Sequence, residues 1–163
     1  MNTNTSPDIQ EEVKKAAMFF KTLLASLFVI MVLAVFFTVL NGALVEVDDS
    51  TQALLKSVLI VIVLTDIPIG YWIFNQKINA IAEGAELIDK IVVYRKSHLI
   101  KLALLQGGAL VSLVILLLTA DFSLLLVFLI MLIVLLLNRP TIGKIITELK
   151  LTEQEQEYLE SYN

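Results

Sequence analysis

"VLIVIVLTDIPIGYWIF", residues Val58 to Phe74, is apolar at nearly every position, yet it carries Thr65, Asp66 and Pro68 near its middle. A run of this character suits hydrocarbon, because about 20 helical residues are needed to cross a bilayer core of about 30 Å. It belongs to a longer stretch from Leu54 to Phe74, and three others resemble it: Thr22 to Leu40, Leu99 to Ala120 and Phe122 to Leu137. The last is the shortest, close to the lower limit of about 17 residues, and is expected to stand nearly upright. Lipid supplies no partners for backbone N–H and C=O groups, so such spans are helices. The sequence therefore predicts an all-α, polytopic membrane protein of one domain, residues 1–163, with four transmembrane helices arranged as two hairpins. The first run is too long for the apolar part of a signal peptide and lacks a small-residue cleavage site, so it is expected to persist.

Composition supports lipid as the solvent. Hydrophobic residues make up 58% of the chain and charged residues 17%, with a mean hydropathy of +0.85. A water-soluble fold of this size has no room to hide so much apolar surface. The chain has no cysteine, so disulfides are excluded. Its one histidine, His98, stands apart from any metal-ligand spacing, and no cofactor is expected. The net charge of −4 gives nucleic acid no footing.

The cations set the orientation. Lys14, Lys15 and Lys21 precede the first run, and Lys77, Lys90, Arg95, Lys96 and Lys101 lie between the second and third or just inside their ends. Arg139, Lys144 and Lys150 follow the fourth, and only Lys56 falls on the opposite side. The positive-inside rule then places residues 1–21, 75–98 and 138–163 in the cytoplasm, with both termini. Trp72 and Tyr71 fall at the inner interface, where amphipathic rings settle. Lys21 and Lys101 are expected to extend back to that interface.

The connecting segments have their own signals. "NGALVEVDDSTQA", residues 41–53, is acidic, with Asp49 or Ser50 placed to cap the second helix. "TADFS" is short enough to force a tight turn between the last two spans. Ile78, Ile81, Leu87, Ile88 and Ile91 approach helical spacing, with Gly84 as a break, and Ile142, Ile145, Ile146 and Leu149 share one helical face. Ser6 before Pro7 reads as a helix start, and "TEQE" from Thr152 reads as a capping box. The acidic final helix is expected to leave the anionic membrane surface and either contact basic protein or stay mobile, so that removing residues 152–163 spares insertion. A faint internal repeat pairs "NQKINAI" with "NRPTIGKI".

The polar residues within the spans are few. Asp66, with Thr65 beside it and Gln106 at nearly the same depth on the third span, is expected to form an intramembrane polar pair facing the protein interior. Pro68 lacks an N–H, frees the Leu64 carbonyl and permits a kink, and the Thr65 hydroxyl or a protonated Asp66 is placed to satisfy that carbonyl. Gly107, Gly108 and Ala109 form a surface for close helix packing. No nucleophile stands beside a base, and no phosphate-binding loop is visible, so the chain is expected not to be an enzyme.

Two resemblances follow from these residues. "LLQGGALVSLVILLL", residues 104–118, resembles the ion-binding helix of rotary-ATPase proteolipid (c-ring) subunits, in which a glutamate followed by small residues carries the ion. Here Gln106 stands at the glutamate position, and the glycine-rich partner helix of that family is missing, so a carrier would have to be Asp66. The whole chain resembles small four-helix proteins of bacterial inner membranes with a basic-then-acidic tail, which implies a location and no activity. Small multidrug transporters share the helix count but are shorter and carry their carboxylate in the first span. The role expected is an accessory or structural subunit of a membrane complex, in contact with other membrane subunits. The alternative is a homo-oligomeric proton or ion conductor using Asp66.

Overall fold

The computed structural model describes residues 9–82 and 84–161. Six helices account for most of them: α1 (Ile9–Asn41), α2 (Asp49–Asn79), α3 (Leu87–Thr119), α4 (Leu124–Leu137), α5 (Ile142–Leu149) and α6 (Glu153–Glu160). The expected start at Ser6–Pro7 lies outside the described residues.

Three helices, α1 to α3, are long and apolar enough to cross a membrane, and α4 with α5 forms a fourth candidate bent by 78°. At 33 residues each, α1 and α3 reach about 50 Å, well beyond the hydrocarbon core. By contrast α4 has 14 residues, about 21 Å, and is shorter than the run from Phe122 suggested. Its start is delayed because Asp121 to Ser123 are taken up by the turn after α3, where the Asp121 carboxylate accepts from the Ser123 N–H at 2.9 Å.

The packing centres on α3, against which α1, α2 and α4 all lie. The expected first hairpin is therefore not a packed pair, since α1 and α2 each meet α3 far more than one another. Leu102, Leu105, Ala109, Leu113 and Leu116 are buried on α3 and join Leu27 and Ala34 of α1, Leu59 of α2 and Met131 of α4. The outward sides of α1 and α2 leave Phe28, Leu33, Phe36, Leu40, Val61 and Leu64 exposed. Such faces suit lipid or neighbouring helices.

At one end the loops close the bundle. The last carbonyls of a helix lack partners within it, and here the Leu44 and Val45 N–H groups donate to the Leu117 and Leu118 carbonyls of α3 at 3.1 and 3.2 Å. The cap of α2 falls one residue earlier than Asp49, at Asp48. The Ser50 and Thr51 hydroxyls donate to its carboxylate and lower its pKa to about 2. Lys56 of α2 pairs with Asp121, whose carboxylate also accepts from Gln52 Nε2 at 2.8 Å. The lone cation of this end thus clasps the α3–α4 turn to α2.

The opposite, basic end holds a second core. Phe74, Ile91, Tyr94, Ile145, Leu151 and Leu159 are buried there, with Ile9 and Val13 of α1 packed alongside. Gly84 takes φ +85° in the α2–α3 connection, a conformation that favours glycine. Thr152 and Glu155 start α6 as a capping box, with the Thr152 N–H donating to Glu155 Oε2 at 2.9 Å. The acidic tail, expected to leave the membrane surface and either contact basic protein or stay mobile, packs into this core and meets a basic residue. Leu159 is buried there, and Glu155 pairs with Lys90 of α3 at 2.7 Å.

Candidate functional site

The α2–α3 interface is built on matched spacings. On α3, Tyr94, His98, Lys101, Leu105, Gly108 and Ser112 recur every three or four residues, which aligns them on one face of a helix. On α2, Asp66, Gly70 and Phe74 recur every four. The helices run antiparallel, so Asp66 meets Gly108, Gly70 meets Lys101, and Phe74 meets Tyr94 and His98.

Asp66 is half-buried, and its carboxylate lies over the glycines. A methyl group on Gly108 would sit 3.4 Å from Asp66 Oδ2, and one on Gly107 would sit 3.9 Å away. The same methyl on Gly108 would approach Met131 Cε of α4 at 3.0 Å. Gly108 therefore lets three helices converge, while Ala109 is buried beside it. Small residues serve membrane helices in this way by allowing close approach.

The remaining members of the expected polar pair are arranged differently. Among the described residues no hydrogen bond joins Asp66 to Gln106. Gln106 is buried one position before Gly107, and successive helical side chains point about 100° apart, so the glycines rather than the amide face α2. Thr65 is exposed, and its hydroxyl donates to the Val61 and Ile62 carbonyls at 2.8 and 2.9 Å. It therefore does not serve the Leu64 carbonyl that Pro68 leaves free. The helix nonetheless runs unbroken from Asp49 to Asn79, with Pro68 inside it.

A second polar locus lies at the basic end, and sequence reasoning missed it. Lys101 is fully buried rather than extended to the interface, and its ammonium stands 3.7 Å from Glu148 Oε1 of α5. The aromatic faces of Phe74 and Tyr71 flank it, with ring centroids at 4.0 and 4.8 Å. His98 stacks on Tyr94 with centroids 5.3 Å apart, and both contact the edge of Phe74. The Lys101 ammonium, both His98 ring nitrogens and the Tyr94 hydroxyl are buried without a hydrogen bond. Tyr71 closes the side by donating to Asn138 Oδ1 at 2.9 Å.

This locus was hidden for a physical reason. A lysine at a span end normally extends its stem toward water, whereas here α5 folds back and covers it. The signal available was the three- and four-residue spacing of Tyr94, His98 and Lys101. A further pair, Glu12 of α1 with Arg95 of α3 at 3.0 Å, binds the extended ends of those two helices. Among the described residues no group of three or more His, Asp and Glu side chains is arranged to hold a metal ion.

The long apolar helices are those of a multi-pass membrane protein, and a few of its ionisable groups, Asp66 and Lys101 among them, sit between helices. Comparison with known proteins gives no match: no family model, no curated protein and no solved structure matches the chain.

Proposed function

We propose that the chain is a non-enzymatic protein of the bacterial cytoplasmic membrane, with four crossings and cytoplasmic termini, serving as an accessory or structural subunit of a larger membrane assembly. The observation that carries this reading is the state of Asp66. It is half-buried on the flank of α2, deep in an apolar helix, beside an exposed Thr65, with no hydrogen bond among the described residues. A carboxylate in that setting is costly unless a polar partner meets it. A polar side chain on a helix of another subunit would supply that partner, and the exposed apolar flanks of α1 and α2 offer it a surface. The bias of eleven of twelve cations toward one end supports the orientation.

The test is a photo-crosslinker at Thr65 in native membranes, followed by purification in mild detergent. A heteromeric adduct is expected, retained with Asp66→Asn, which still hydrogen-bonds, and lost with Asp66→Leu. Recovery of a monomer with no adduct at that flank overturns the proposal.

The alternative, a homo-oligomeric proton or ion conductor, is favoured by one observation. Asp66 shares the α2–α3 interface with Lys101 and His98, about 10 and about 15 Å further along α3 from Gly108. Flux through proteoliposomes that Asp66→Asn abolishes, together with a homomeric ring in detergent, establishes this reading instead.

A further inference from the structure

A groove opens between α1 and the bend that joins α4 to α5. Lys21 and Arg139 stand on its two sides, and Phe20, Leu24, Leu136 and Pro140 line it. Both cations are exposed, and neither side chain has an ion pair or hydrogen bond among the described residues. Lys15, Lys56, Lys90, Arg95 and Lys101 by contrast each face a carboxylate, while Lys77, Lys96 and Lys150 are also exposed without such a partner but line no part of this groove. Lys144 is also engaged, on the Leu137 carbonyl at 2.7 Å.

The placement of the apolar walls narrows the occupant. Leu24 lies one turn beyond Lys21 in α1, and Leu136 lies one turn before Arg139 at the end of α4. Both leucines therefore point the groove from the two cations directly into the apolar spans. An occupant must carry negative charge at one end and hydrocarbon at the other. Phosphate in solution satisfies only the first requirement, and a neutral lipid only the second.

We propose that this groove is a binding site for an anionic phospholipid, its phosphate held between Lys21 and Arg139 and its acyl chains laid along Leu24 and Leu136. Arg139 lies in the bend of 78° between α4 and α5 and lines the groove together with Lys21 of α1. Paired cations near a membrane surface favour anionic headgroups, at about a fivefold change in affinity per charge.

The test is native mass spectrometry of the full chain, released from detergent micelles containing equal phosphatidylglycerol and phosphatidylcholine. One phosphatidylglycerol is expected to stay bound, falling about fivefold with Lys21→Gln or Arg139→Gln and about thirtyfold with both. Lys21→Arg with Arg139→Lys is expected to retain it, and soluble glycerophosphate is expected not to displace it. A control pair, Lys77→Gln with Lys96→Gln, lines a different groove and is expected to leave retention unchanged. Equal retention of both lipids, an equal loss in the control pair, or displacement by glycerophosphate overturns the proposal. Thermal unfolding of each variant in the same detergent separates lost binding from lost fold. Both side chains are exposed, so the variants are expected to fold, and retention by a fully folded double-glutamine variant also overturns the proposal.

Discussion

Lys101 and Glu148 face each other at 3.7 Å, too far for a hydrogen bond, with the lysine wholly enclosed and its ammonium lying over the rings of Phe74 and Tyr71. The pair joins α3 to α5 without the close geometry that makes ion pairs strong. Aromatic faces substitute for part of the lost hydration of the ammonium.

Removing one partner of this pair is expected to cost more than removing both. Lys101→Met leaves Glu148 facing an apolar site and is expected to lower stability by about 3 kcal/mol. Lys101→Met with Glu148→Leu is expected to recover most of that loss, since apolar replacements of buried pairs are often neutral. A double-mutant cycle of thermal unfolding in detergent measures the difference. Equal losses in the single and double variants would show that packing of the lysine stem, not charge, matters at this position.

Substitutions at Gly108 are expected to grade with size. Alanine there meets the flexible tip of Met131 at 3.0 Å, which yields at a cost of about 1 kcal/mol. Leucine has no such escape, because Asp66 and Val63 of α2 stand 3.4 Å from the first added carbon. Cross-linking between α2 and α3 through introduced cysteines should persist for Gly108→Ala and fail for Gly108→Leu. Gly143 in α5 is the contrast: nothing lies within 4 Å of its added carbon, so Gly143→Ala should stabilise that helix by up to about 1 kcal/mol.

Two helix ends carry residues in the left-handed conformation without being glycine, Ala120 at φ 52° and Lys150 at φ 51°. Such geometry costs an L-residue roughly 1 kcal/mol. Ala120→Gly and Lys150→Gly are therefore each expected to raise the unfolding temperature, which differential scanning calorimetry reads directly. A fall in both would mean that the glycine's added freedom in the unfolded chain outweighs the relief.

The clasp between Lys56 and Asp121 sets an acid limit. The Lys56 ammonium, assisted by Ser123 and Gln52, holds the Asp121 carboxyl well below its ordinary 3.8. A carboxyl lowered on folding contributes stability that is complete above its unfolded value and disappears as pH falls through its folded one. Wild type should therefore exceed Asp121→Asn by about 1 kcal/mol at pH 7, the upper range for a partly exposed pair. The gap should narrow only below pH 3.8, as read by thermal unfolding across a pH series.

The tail now carries a different expectation from the one its charge suggests. Removal of residues 152–163 takes away Leu159 and the partner of Lys90, and uncovers part of the second core. Insertion is expected to continue while hydrogen exchange accelerates at Ile91 and Tyr94. Unchanged protection there would show that α6 contributes nothing to that core.

Much of the fold was legible because lipid imposes a strict requirement on chain length and polarity. The runs around Leu27, Leu59 and Leu113 read as membrane helices for that reason, and the close-packing role of Gly108 followed from residue size. The Asp66–Gln106 pair was inferred from depth alone, yet depth says nothing of azimuth, and azimuth turned the glycines toward Asp66. Lys101 was misread because its burial depends on α5, which reaches it only after the bend beyond Leu137. Long-range closure of that kind leaves no local trace. Net charge pointed the acidic tail toward a basic contact, which Lys90 supplies, but gave no sign that Leu159 is buried.

The length of α1 and α3 has a mechanical meaning. Each continues without interruption from the apolar bundle into the second core, where Glu12 and Arg95 lock their ends together. In the proposed topology the protruding part has no joint of its own and would act as the handle of a lever whose fulcrum is the bilayer. A thinner bilayer tilts a long helix, and every degree of tilt within the lipid swings α5 and α6 through the same angle. In that topology the basic end turns with the bundle whenever lipid thickness changes its tilt.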